Sequence, residues 1–151
     1  MISRKTKYGL KALIYLVRHY NRGSVSISDL AKTEQIPQKF LEAILLELKN
    51  KGLLHSKKGK GGGYILGKPP DQITVGQIVR ALEGPLAPVS CVSQTAYRRC
   101  DDCRDEETCC IRPLLKEVRD AIANVMDKMS LADVVRKYGS RSENSHITYS
   151  I

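Results

Sequence analysis

Aromatic side chains are scarce in this chain of 151 residues. Phe, Tyr and Trp make up 5% of it, with a single Phe and no Trp. A hydrophobic core must therefore be built mainly from Leu, Ile, Val and Ala, which favours packed helices. A chain of this length can bury a core without stabilising disulfides or metal ions. The composition therefore predicts one mainly α-helical unit with a modest appendage.

Long apolar runs are also missing. Lys11 and Arg18 interrupt the first apolar stretch, which therefore lacks the continuous core of a signal peptide. No window has the length of apolar sequence that crosses a bilayer. We therefore expect a cytoplasmic protein whose five cysteines stay reduced rather than forming structural disulfides.

Histidine is rare, and no catalytic arrangement surrounds it. His19, His55 and His146 have no evident nucleophile or carboxylate partner in the sequence, and each is expected to be a surface or capping residue. The sequence therefore predicts that the protein is not an enzyme.

The whole chain has a net charge of +9, and its positive charge is concentrated in the first half. Residues 1–70 contain fourteen Lys or Arg against four Asp or Glu, a balance of +10. Residues 71–151 contain eleven against twelve, a balance of −1. Because cations that contact phosphates release condensed counterions, this asymmetry predicts a polyanionic partner for the first half. A solvated basic face without a partner is the alternative.

Three helices are predicted before Gly52. Apolar residues at i, i+3, i+4 and i+7 spacing indicate an amphipathic helix over residues 4–20. Ser26 is the predicted N-cap of a short second helix, with Asp29 as its capping partner. Pro37 suits the first position of a third helix. The buried stripe of that third helix is expected to be Phe40, Leu41, Ile44, Leu45 and Leu48.

A β-hairpin is predicted next, with strands at residues 53–56 and 64–66 around a Lys- and Gly-rich turn. Two short helices followed by such a hairpin are the parts of a winged helix-turn-helix. The outward residues at the start of the third helix can reach base edges, and the wing supplies cations and backbone flexibility. A phosphate-binding loop is disfavoured because its Lys-Ser or Lys-Thr ending is absent. The predicted DNA-contacting residues are Gln38, Lys39, Glu42, Lys57, Lys58, Lys60, Gly62 and Tyr64.

Three further helices, a cysteine-rich segment and a tail complete the prediction. Thr74 can cap a fourth helix that ends at Gly84, and Ser130 can cap a last helix that ends at Gly139. Between them, apolar residues recur over 111–129 at alternating spacings of three and four, as in a coiled-coil seam. This long helix is either a dimerisation helix or an ordinary core helix. The predicted seam residues are Leu115, Val118, Ile122, Val125 and Met129.

All the cysteines lie within twenty residues, at positions 91, 100, 103, 109 and 110. In a reduced compartment this density predicts a metal site, because thiolates are soft ligands that suit zinc or iron-sulfur clusters. A zinc knuckle, a thiol redox switch and unliganded cysteines remain alternatives, since four thiols satisfy zinc and a cluster equally well.

Several segments in this order resemble one bacterial family. They are SRKTKYGLKALIYL, IPQKFLEAILLELKNKGLL, KGKGGGYILGK and ITVGQIVRALEG, followed by a cysteine loop and a long helix. Together they are similar to the iron-sulfur cluster regulators and nitric-oxide-sensing repressors of the IscR/NsrR type. The resemblance implies a homodimeric winged-helix repressor or activator that binds partly palindromic double-stranded operators and holds a 2Fe-2S or 4Fe-4S cluster.

The resemblance also implies the cluster ligands, which would be Cys91, Cys103 and Cys109. The chain departs from the family pattern at four points: Cys100 lies among extra residues, Cys110 doubles the last ligand, Arg112 replaces a His ligand of one branch, and Leu115 replaces a frequent Trp. Some members lack a cluster and sense cysteine metabolism through a partner enzyme, which five cysteines disfavour here.

The predicted organisation has four segments. They are a winged-helix DNA-binding domain at 1–84, a cysteine-rich cofactor loop at 85–110, a dimerisation helix and short terminal helix at 111–139, and a loose tail at 140–151. The predicted function is dimeric, sequence-specific transcription regulation that responds to redox state, iron or nitric oxide. The alternatives are a cluster-free regulator of cysteine metabolism and a zinc-stabilised module that binds nucleic acid or acidic protein.

Overall fold

The computed structural model describes residues 2–140. The predicted fold class is confirmed, because six α-helices and one antiparallel hairpin follow each other in the expected order. They are α1 (Arg4–Arg18), α2 (Ile27–Glu34), α3 (Gln38–Asn50), β1 (Leu54–Lys57), β2 (Gly63–Leu66), α4 (Val75–Leu82), α5 (Ile111–Lys128) and α6 (Leu131–Tyr138). Short 3₁₀ turns at Pro70–Gln72 and Ser90–Val92 were not predicted. The predicted loose tail falls, apart from residue 140, outside the described residues.

Side-chain caps fix where the helices begin. Ser26 accepts a hydrogen bond from the backbone N–H of Asp29 at the start of α2. Thr74 and Ser130 each form a reciprocal capping box at the start of α4 and α6. These bonds satisfy backbone N–H groups that a helix leaves without an internal partner. The predicted starts of these three helices are therefore confirmed.

The third helix differs from the prediction in two respects. Pro37 is the N-cap rather than the first helical residue, because its ψ of 125° is extended. Phe40 is 36% exposed rather than buried. Successive residues of a helix are about 100° apart, so Phe40 lies at the margin of the stripe that Leu41 begins. Its ring packs edge-on against Tyr8, with the ring centroids 5.7 Å apart.

The core lies between α1, α2, α3, α4 and the hairpin, and α6 also contributes to it. Fully buried members include Leu13, Leu41, Ile44, Leu54 and Leu131. Most of the core side chains are Leu, Ile or Ala, as the scarcity of aromatics predicts. The contribution of Leu131 means that the chain returns, after the long helix, to the core formed by α1–α4 and the hairpin.

Backbone hydrogen bonds join the α5–α6 junction to the start of α4. Val75 N–H donates to Met129 O and Leu131 N–H donates to Ile73 O, each at 2.8 Å. The helix α5 itself has no fully buried residue within the described part of the chain. The division into four segments at 84, 110 and 139 stays a prediction. No helix within residues 2–140 combines the length and the apolar character that a membrane span needs.

Candidate nucleic-acid interface and cysteine cavity

The helices α2 and α3 are joined by a tight turn of three residues. Gln35 adopts the left-handed conformation, with φ 55° and ψ 48°. Ile36 N–H donates to Ala31 O at 2.9 Å, and its side chain is buried. This turn fixes the relative direction of the two helices, which is the geometry of a helix-turn-helix.

The first turn of α3 presents polar side chains to solvent. Gln38, Lys39 and Glu42 are all exposed, whereas Leu41, one residue before Glu42, is fully buried. Gln38 Nε2 donates to Glu42 Oε1 at 3.4 Å. A recognition helix uses its N-terminal residues to contact base edges, so this exposed face has the chemistry that base readout requires.

The wing is a hairpin with Lys57 paired to Gly63 at its tip. Lys57, Lys58 and Lys60 are exposed there. A Cβ at Gly62 would lie 2.5 Å from Lys57 O, so the turn needs glycine at this position. The wing tip therefore carries three cations on a backbone that closes tightly.

The wing is anchored to the loop before α2. Val25 and Tyr64 exchange backbone hydrogen bonds of 2.8 and 2.9 Å, and Ser24 Oγ donates to Gly61 O at 2.6 Å. Tyr64 is half-buried and packs against the core. Of the eight predicted contact residues, six expose charged or polar side chains, while Gly62 and Tyr64 have evident structural roles as well.

Four of the five cysteines line one cavity of about 440 Å³. They are Cys91, Cys100, Cys103 and Cys109, and all cysteines are free thiols. Cys110 is exposed, and its thiol lies 3.9 Å from Thr108 O. The structure thus brings the three predicted ligands to the same cavity together with Cys100.

Two arginines of α5 hold the segment that contains Cys91. Arg112 Nη2 donates to Cys91 O at 3.5 Å, and Arg119 Nη1 donates to Val92 O at 2.5 Å. Arg112 also lines the cavity, and its buried Nε–H has no acceptor within the described residues. Both arginines therefore connect the wall of the cavity to the long helix.

The thiols interact with one another. The neighbouring Cys91 thiol raises the pKa of the Cys100 thiol, and burial and the charge of Asp102 act in the same direction. Among residues 2–140, no three Cys, His, Asp or Glu side chains converge closely enough to hold one metal ion. The chemistry of the donor set nevertheless fits a soft-metal centre, because four thiols line the same cavity.

Two connections between helices were not predicted from the sequence. Arg80 of α4 forms a bidentate ion pair with Asp127 of α5, in which Nη1 donates to Oδ1 at 2.5 Å and Nη2 to Oδ2 at 2.9 Å. Glu83, directly after α4, accepts hydrogen bonds from Ser3 N and Thr6 Oγ1 at the start of α1, at 2.6 and 2.7 Å. Long-range polar pairs leave no periodic signal, so only the fold reveals them.

A winged-helix DNA-binding transcription regulator is the class of protein that this fold and exposed helix face define. The sequence profile of Rrf2, described as an iron-dependent transcriptional regulator, matches residues 2–137. The chain therefore belongs to the Rrf2 family of transcriptional regulators, which confirms the resemblance noted from the sequence. Members of this family are transcription regulators rather than enzymes.

Individual relatives agree with this assignment. The HTH-type transcriptional regulator CymR of Bacillus subtilis is 35% identical over 148 residues, which cover 98% of each chain. The solved structure of that protein, described as the global cysteine regulator, has a TM-score of 0.76 at 36% identity and covers 91% of this chain and 97% of its own. The structure of T. potens IscR has a TM-score of 0.72 at 28% identity and covers 91% and 87%.

Proposed function

We propose that this regulator senses redox state, iron or nitric oxide through an iron-sulfur cluster held by the cysteine cavity. The observation that carries the proposal is that Cys91, from the turn at Ser90–Val92, lines one cavity together with Cys103 and Cys109 of the following loop. Such a cluster, when bound, would supply a centre whose oxidation state or integrity changes with the signal.

The proposed output is binding to a partly palindromic operator. The exposed face of α3, formed by Gln38, Lys39 and Glu42, would read bases in the major groove, and the wing lysines would contact phosphates. Positive charge in residues 1–70 supports this role, because the same half contains both elements.

The proposed active form is a homodimer paired through α5. Four of its large apolar side chains are exposed, namely Ile111, Leu114, Val118 and Val125, and Val125 is 61% exposed. A face of this kind on a long helix is typical of a protein interface, since its burial removes apolar surface from water. Two-fold symmetry would then set two recognition helices at successive half-sites.

A route from the cavity to the DNA-binding helices supports the coupling of these parts. Arg112 and Arg119 contact the Cys91 segment from α5, and the Arg80–Asp127 pair joins α5 to α4. Glu83 then joins the end of α4 to the start of α1. A change at the cavity wall would therefore move elements that are bonded to the domain that contacts DNA.

Anaerobic purification followed by iron, sulfide and zinc analysis tests the sensing function. We expect iron and sulfide in the protein, with visible absorption bands. Alanine at Cys91, Cys103 or Cys109 should remove these bands, because each variant loses a ligand. A colourless protein with stoichiometric zinc would instead support the zinc-stabilised module.

A cluster-free cysteine regulator is the second candidate. The similarity to B. subtilis CymR, described as the global cysteine regulator, favours it. Under this alternative the anaerobic protein contains neither iron nor zinc, and alanine at Cys91, Cys103 or Cys109 leaves operator binding unchanged.

A further inference from the structure

We propose that Cys100 is the fourth thiolate ligand of the metal centre, alongside Cys91, Cys103 and Cys109. The inference rests on the proposed function, because it concerns the same cavity. It assigns a role to a cysteine that the family pattern does not contain.

The position of Cys100 is the first support. Cys100 lines the same cavity as Cys91, Cys103 and Cys109. Side chains that line one cavity can reach a centre bound inside it, and Cys100 shares this position with the three cysteines already proposed as ligands. On binding, the Cys100 thiol would release its proton and its sulfur would donate an electron pair to the metal.

The local backbone is the second support. Cys103 N–H donates to Cys100 O at 3.1 Å, which closes a turn over the Cys-x₂-Cys segment. This spacing is frequent in zinc and iron-sulfur sites, because the turn places both thiols on one side of the chain. Arg99 Nη2 stabilises the same segment by donating to Cys103 O at 3.2 Å and to Arg104 O at 2.9 Å.

The other candidates for a fourth ligand fit less well. Cys110 is exposed, does not line the cavity, and has its thiol near Thr108 O. Arg112 lines the cavity, but a guanidinium stays protonated in proteins and has no lone pair for a metal. Its buried Nε–H is instead a donor that can offset the negative charge of a thiolate centre.

Four thiolates have a predictable electronic effect. A cluster with a fourth thiolate carries one more negative charge than a cluster with three thiolates and a neutral ligand. Because reduction potential depends on the net charge at the cluster, replacing Cys100 with a neutral ligand should shift the potential to more positive values.

Alkylation of the cluster-loaded full chain tests the assignment directly. The anaerobic protein is treated with iodoacetamide, digested and analysed by mass spectrometry, with the metal-stripped chain as reference. We expect only Cys110 to be labelled in the loaded chain, and Cys100 to become labelled once the metal is removed. Labelling of Cys100 in the loaded chain would overturn the inference.

Matched variants give a second readout that does not depend on thiol accessibility. Cys100→Ala should alter the visible absorption and accelerate the loss of iron to a chelator, and Cys100→His should restore iron retention with a more positive potential. Cys110→Ala should match the unmodified chain. If Cys100→Ala also matches it, Cys100 is not a ligand.

The two proposals fail in different ways. If the unmodified chain takes up no iron or sulfide, the proposed cluster fails and the ligand assignment falls with it. If it contains a cluster that is identical in Cys100→Ala, only the ligand assignment fails. Zinc with the same protection of four cysteines would keep the four-thiolate site and overturn the cluster.

Discussion

Arg119 Nη1 donates a 2.5 Å hydrogen bond to the carbonyl oxygen of Val92, the residue that follows Cys91. The Arg119 side chain is only 13% exposed, and Val92 is buried. A hydrogen bond from a charged donor stabilises the fold more when it is shielded from water than when it is exposed. Loss of the Arg119 side chain would also leave the buried carbonyl oxygen of Val92 without this donor. This contact therefore fastens the 3₁₀ turn at Ser90–Val92 to α5.

Removing this contact should destabilise the protein. We expect Arg119→Ala to lower the free energy of unfolding by about 1.5–3 kcal/mol, as for other hydrogen bonds to charged groups. Urea denaturation of the metal-free chain measures the change. Arg98→Ala is the control, because the Arg98 side chain is 74% exposed and its one ion pair within residues 2–140 is with exposed Asp101. Its backbone hydrogen bond to Ser90 O is kept in the variant. Its effect should stay within about 0.5 kcal/mol, and equal effects of the two variants would contradict the special role of Arg119.

The contact between α4 and α5 leaves no room for a side chain at Gly76. A Cβ there would lie 1.9 Å from Asp127 Oδ1 and 2.9 Å from Arg80 Nη1. We expect Gly76→Ala to lower the midpoint of thermal unfolding, because the ion pair must break or shift. In an Asp127→Ala background the same change should raise stability by about 0.5–1 kcal/mol, since alanine favours a helix over glycine. Destabilisation of equal size in both backgrounds would show that Asp127 is not the obstacle.

The sequence predicts those parts of the fold that depend on local signals. Ser26, Thr74 and Ser130 act as caps because a short polar side chain reaches the N–H groups of its own helix. The exposure of Phe40 escaped prediction, because apolar periodicity does not locate the margin of a stripe. Its contact with Tyr8 depends on how α1 and α3 cross.

The candidate site, too, could be predicted from the sequence only where local signals determine it. Clustering in the sequence indicates that the cysteines act together, but it does not separate Cys100, which lines the cavity, from Cys110, which does not. The roles of Arg112 and Arg119 depend on the path of the loop over α5, which no spacing rule encodes. The predicted contact residues of α3 and the wing stay predictions, because their exposure fits DNA binding without testing it.

Glu83 gives the fold a predictable response to acid. Hydrogen bonds from Ser3 and Thr6 lower the pKa of Glu83 from its ordinary value of 4.5 to about 2. A carboxylate whose pKa is lower in the folded than in the unfolded chain stabilises the fold fully when the pH lies above the unfolded-state pKa. This stabilisation is lost as the pH falls towards the folded-state pKa. We therefore expect the unmodified chain to lose more stability than Glu83→Gln between pH 4.5 and about 2.

Thermal unfolding of both chains across this pH range checks the prediction. Other carboxylates titrate in both chains, so the difference between the two curves isolates Glu83. Parallel curves would mean that the bonds to Ser3 and Thr6 do not depend on the charge of Glu83.

The wing should contribute sequence-independent affinity for DNA. If Lys58 and Lys60 of each protomer contact a phosphate, replacing both with Ala removes four contacts from the proposed homodimer. The slope of log K against log salt should then become shallower by about 4. The measurement is a titration of fluorescent duplex at several salt concentrations. The control replaces Lys116 and Lys128, two exposed lysines of α5, and should leave the slope unchanged. An unchanged slope in the wing variant would remove the wing from the interface.

Selection of genomic DNA fragments by the cluster-loaded and the metal-free chain, with affinities measured for the fragments recovered, tests the central claim most directly. The account predicts fragments with related half-sites, bound about 10³-fold or more tightly than bulk competitor DNA. It also predicts that loss of the cluster changes their affinity while leaving non-specific binding the same. Equal binding of all fragments by both forms of the protein would contradict it.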